Sequence, residues 1–141
     1  MLTLQIVCYF GGITSLAYED ARHLSVPALL CDGWLLMMVL FAAWLNPGRL
    51  IPASGVAIVL TAFALLTRGL GSADIIVLTA AATVFNTGGL LLTLLCASLS
   101  CLCWSLHRGA RRAAFIPHLL IGSVTAEALL QLAPGLRALL S

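Results

Sequence analysis

Two aspartates carry the chemistry that this apolar chain can offer. Asp20 lies in Tyr18-Glu19-Asp20-Ala21-Arg22, and Asp74 closes Gly69-Leu70-Gly71-Ser72-Ala73-Asp74. Each falls at the end of a membrane-length apolar stretch. An acidic residue at a membrane boundary is costly and usually has a task. Two carboxylates sharing one site cannot both ionise at close range, so their proton affinities are pushed apart. One then activates water as a base, while the other protonates a carbonyl oxygen and later a leaving amine. That chemistry requires no metal and no cofactor. Structural readings stand beside it: Asp20 as a solvated loop residue paired with Arg22, and Asp74 as the N-cap of a helix after Gly71-Ser72-Ala73.

The elements that must bring the two together are membrane spans. The 141 residues are 62% hydrophobic and 9% charged, whereas soluble domains carry about 25% charged residues. Such a chain cannot cover a soluble surface, so residues 1–141 are expected to form a single membrane-embedded domain. Measured against the roughly 20 apolar residues a span needs, six segments qualify, near 2–18, 27–45, 50–67, 74–85, 88–106 and 114–132. The predicted fold class is all-α, a polytopic membrane protein with six transmembrane helices. The fourth segment is short. It either tilts little, is partly re-entrant, or borrows residues from the preceding turn. Short loops with turn residues separate the spans, among them Asn46-Pro47-Gly48 and Asn86-Thr87-Gly88-Gly89.

Arginines set the direction. All seven basic residues are arginine. Arg22, Arg68, Arg108, Arg111 and Arg112 fall in loops that alternate onto one side, and Arg49 and Arg137 on the other. The positive-inside rule makes the first side cytoplasmic. Both termini are then non-cytoplasmic, and Asp20 and Asp74 share the cytoplasmic face at comparable depth. A net charge of +2 without a basic, aromatic-interleaved stripe argues against nucleic-acid binding. The arginines at 108, 111 and 112 suit orientation and contact with anionic membrane lipids. The apolar N-terminus lacks a basic leader region and a small-residue cleavage site, so the first segment is expected to remain as a helix.

The remaining polar residues point less clearly. Cys8, Cys31, Cys96, Cys101 and Cys103 sit in apolar runs without a Cys-x-x-Cys pair, which reads as small apolar membrane residues. His23 and His107 fall in cytoplasmic loops, and His118 about one turn into the sixth span. A metal site from this trio is disfavoured. Asp32 can snorkel or pair with Arg22 or His23, and Glu127 can bond a neighbouring Ser or Thr. No serine sits in a nucleophile motif.

The two acidic patches resemble those of prepilin peptidases, membrane aspartyl proteases of the Gly-x-Gly-Asp type. The stretch Asp20-Ala21-Arg22-His23-Leu24-Ser25-Val26-Pro27 matches the family's Asp, its Arg two positions later and its apolar-Pro ending. Gly71-Ser72-Ala73-Asp74 aligns with Gly-x-Gly-Asp, with Ala73 in place of the second glycine and Ile76 where a lysine is common. Phe115-Ile116-Pro117-His118 is similar to the proline-bearing last span. The resemblance implies Asp20 and Asp74 as the catalytic pair. Gly69, Gly71, Ala73, Arg22 and Pro27 would shape the backbone and the substrate path around them. It implies no cofactor and no metal ligand. Its partners would be type IV prepilin or pseudopilin substrates, cut after a glycine at the cytoplasmic face of the inner membrane. Glu19 could attract the basic leader. Larger family members add an N-terminal region with cysteine pairs linked to methylation; the expectation here is a peptidase-only form. Two rival readings remain: a non-catalytic membrane subunit, such as an assembly factor or small transporter component, and an inactive homologue that binds prepilins without cutting.

Overall fold

A computed structural model of the chain describes residues 2–23, 25–67, 71–108 and 115–132. In a bilayer every backbone polar group must be satisfied within the segment itself, which leaves the helix as the natural form of each apolar run. Among the described residues six α-helices follow: α1 (Leu2–His23), α2 (Ala28–Leu45), α3 (Leu50–Thr67), α4 (Ser72–Val84), α5 (Thr87–Arg108) and α6 (Phe115–Leu132). A 3-10 turn, Pro47–Arg49, precedes α3. Four of the described segments are long and apolar enough to cross a membrane: Ala28–Leu45, Pro47–Thr67, Thr87–His107 and Phe115–Leu132. The elements match the six expected segments closely. The main difference is α1, which continues to His23 and so takes Asp20 into the helix.

The helix ends follow local chemistry. Pro27 fixes the start of α2, and its carbonyl accepts the N–H of Leu30 at 3.0 Å and of Cys31 at 3.3 Å. Asn86 caps α5: its side-chain oxygen accepts the Gly89 N–H at 2.8 Å. This is the exchange a capping Asn makes with the third helical residue.

The shortest helix is the centre of the bundle. Val77, Leu78, Thr79, Ala80, Ala81, Ala82, Thr83 and Val84 of α4 are buried without interruption. Helix α4 touches every other helix. Thirteen residues at about 1.5 Å each give about 20 Å, well short of a hydrocarbon core of about 30 Å. A helix walled in by protein has no need to match the lipid, and the run Ala80-Ala81-Ala82 lets its neighbours approach closely. Its C-terminal carbonyls, which have no partner within a helix, are met from outside. Gln5 of α1 donates to the Thr83 carbonyl at 3.2 Å, and Arg49 donates to that of Val84. Arg49, one of the two arginines expected on the side opposite the main group, is thus tied to the end of α4 remote from Asp74.

Glycines set two helix contacts. A Cβ on Gly12 would lie 1.9 Å from Nε1 of Trp34, so glycine admits the indole against α1, where it donates to the Cys8 carbonyl at 3.3 Å. A Cβ on Gly122 would fall 2.6 Å from the Thr93 carbonyl oxygen, so the α5–α6 contact is one of backbone on backbone. Tyr9 completes the core. Its ring stands edge-on to Phe85 at 5.4 Å, and its hydroxyl shares a hydrogen bond with Ser123 at 3.0 Å. The outer surface is apolar: on α3, Ile51, Ile58, Val59, Phe63, Leu65 and Leu66 are exposed.

Candidate active site

Asp20 sits in the last turn of α1, half-buried, three residues before the helix ends. Its Oδ2 accepts the backbone N–H of Ile116 at 3.2 Å. Ile116 is the second residue of α6. The first N–H groups of a helix have no partner within it, and Pro117 has none to offer. Asp20 therefore supplies an acceptor to the open end of a helix 96 residues away in sequence. It is neither in a loop nor paired with Arg22, whose Nη1 instead donates to the Tyr18 hydroxyl at 3.2 Å.

Asp74 is the third residue of α4, not its N-cap; Gly71 holds that place in an extended conformation. The Asp74 carboxylate turns back to accept the Gly71 N–H, the return half of a capping box. A Cβ on Gly71 would sit 3.3 Å from Asp74 Oδ2, closer than comfortable packing, so glycine leaves room for this return. Ala73 lies inside the first helical turn and packs half-buried on the core. A helical residue has negative φ, so the freedom glycine would bring is not called upon at position 73.

The Asp20 carboxylate bears electrostatically on that of Asp74. Cys31 of α2 lies within electrostatic reach of Asp20, Asp74 and Asp32, and its side chain is buried. The ends of α1, α2, α4 and α6 thus meet around the acidic pair. Antiparallel packing of α1 on α4 explains why. Gln5 and Thr83 join at one end, which leaves Asp20 and Asp74 together at the other. Two participants were not foreseen: the Ile116 N–H and the Cys31 thiol.

Other polar residues go elsewhere. His23 ends α1 and lies 3.8 Å from Glu19 one turn back, so it is helical rather than in a loop, and His107 likewise belongs to α5. Asp32 is exposed. Glu127 accepts from Gln131 at 3.2 Å rather than from Ser or Thr. His118 shares a hydrogen bond with Ser100 at 2.9 Å. Gly69, Arg68, Arg111, Arg112 and Arg137 lie outside the described residues, as does the side chain of Arg108.

Membrane-length apolar helices, with two aspartates at one end of the bundle, define the class: a multi-pass helical membrane protein. The chain belongs to the type IV leader peptidase family, whose family model matches residues 7–106. The match contains both aspartates and ends before α6. Comparison with curated proteins and with solved structures gives no significant match. Family membership makes it a member of a family of peptidases.

Proposed function

We propose that this chain is a membrane aspartyl endopeptidase that removes the short basic leader of type IV prepilin-like or pseudopilin substrates. In this reading six helices span the inner membrane with both termini outside, and the site opens at the cytoplasmic face. Asp20 and Asp74 are the catalytic pair. One carboxylate takes a proton from the attacking water. The other protonates the scissile carbonyl oxygen and then the departing amine. The observation that carries the reading is that Asp20 and Asp74 stand at the same end of the antiparallel α1–α4 pair, opposite the Gln5–Thr83 bond, on helices that lie within the family match.

A second reading has its own observation. Both carboxylates accept helix N-terminal N–H groups, which is what purely structural aspartates in a non-catalytic subunit or an inactive prepilin-binding homologue would do. Asparagine separates the two, because its side-chain oxygen still accepts an N–H but cannot exchange the proton. Co-expression with a prepilin from the same genome, followed by gel shift of the leader, provides the readout. Asp20→Asn and Asp74→Asn are each expected to abolish processing while the protein accumulates in the membrane at wild-type level. Intact processing in both variants overturns the aspartyl mechanism.

A further inference from the structure

The family match ends at residue 106, yet a group from beyond it touches the acidic site. We infer that the first turn of α6 is part of the catalytic apparatus, with the backbone N–H of Ile116 acting as the group that positions Asp20. The inference rests on the reading of Asp20 as catalytic and adds a positioning role to a segment that reading does not use.

Three features make this N–H a fixed donor rather than a chance neighbour. First, Ile116 is 1% exposed, so the peptide is held by a side chain locked in the core. Second, the next residue is Pro117, which has no N–H of its own. The ring removes a competing donor on the immediately following peptide and presets the turn. Third, the turn is pinned from the side by the Ser100–His118 hydrogen bond at 2.9 Å. One helical turn further on, the backbone-to-backbone approach at Gly122 holds α6 against α5. The bond at 3.2 Å from the Ile116 N–H to Oδ2 then fixes one carboxylate oxygen. In this reading the other oxygen, Oδ1, is the one that serves the reaction. A general base must be held within hydrogen-bond reach of its proton, and small displacements of such a group are costly.

The test removes the N–H while leaving the acid. Ile116→Pro deletes the donor at a position where the first helical turn tolerates proline. Ile116→Val keeps the donor and most of the side chain. Leader cleavage by purified protein in detergent is followed as kcat and KM separately, alongside thermal unfolding and Asp20→Asn as reference. The expected result is a kcat lowered about tenfold or more in Ile116→Pro, with KM unchanged. Ile116→Val should retain most of the wild-type kcat. Should the proline variant fail to fold, an α-hydroxy acid at position 116, which replaces the N–H by an ester oxygen and keeps the side chain, is measured in its place. An inactive Asp20→Asn together with wild-type kcat in the proline or ester variant overturns the positioning role and leaves the aspartyl reading standing. Cleavage by Asp20→Asn overturns the aspartyl reading and the inference with it.

Discussion

Asp20 and Asp74 show how far single residues can be read. Their cost in an apolar chain marked them, and the alternation of helices placed them at one end. Their partners were another matter. The Ile116 N–H is a backbone group, and no side-chain pattern announces which peptide will face a carboxylate 96 residues away. The alternative reading of Asp74 as the N-cap of its helix does not hold: it sits within, at the third position, because Gly71 takes the extended place before the helix. Ala73 was the visible departure from Gly-x-Gly-Asp, and its place in the first helical turn shows that an alanine suits the conformation found there. The proposed mechanism has a kinetic consequence. Interacting acids lose their protons in two macroscopic steps that belong to the pair. Cleavage is therefore expected to follow a bell-shaped pH profile, since one acid must be protonated and the other not. A rate that rises monotonically with pH would contradict a shared-proton pair.

At the scale of helices, most of the architecture was legible because apolar length and turn residues punctuate the chain cleanly. Pro27, Pro47 and Asn86 fall where helices begin, for reasons of backbone chemistry that act within a few residues. What stayed hidden was the packing. Hydropathy does not reveal that α4 is enclosed while α3 faces outward, since neither sets an apolar face against a polar one. The small residues carry that information, as Ala80-Ala81-Ala82 and Gly122 do, but their partners emerge only in three dimensions. Gly122 offers a test at this scale. In Gly122→Ala the new methyl group would meet the Thr93 carbonyl at 2.6 Å and the Ala97 nitrogen at 2.8 Å. Backbone atoms cannot turn away as a side chain does. The α5–α6 pair is expected to separate slightly at a cost of about 1–3 kcal/mol, read as a lower unfolding temperature in detergent. An unchanged temperature would mean that the helices are not in this close contact.

For the whole molecule, the enclosure of α4 removes the helix that carries Asp74 from contact with the lipid around the bundle. Hydrophobic mismatch acts on helices that touch lipid, which tilt or distort when the bilayer thickens or thins. Helix α4 is shielded from that adjustment by its neighbours, and Gln5 and Arg49 hold its far end. Under the proposed reading, reconstitution in short-chain and long-chain phosphatidylcholine is expected to change the rate of cleavage but not the bond that is cut, as mass spectrometry of the released leader would record. A scissile bond that migrated with acyl-chain length would mean that the lipid sets the register. Under that reading α4, buried along eight consecutive residues, is the protein's own ruler, and the same ruler would serve in membranes of different composition.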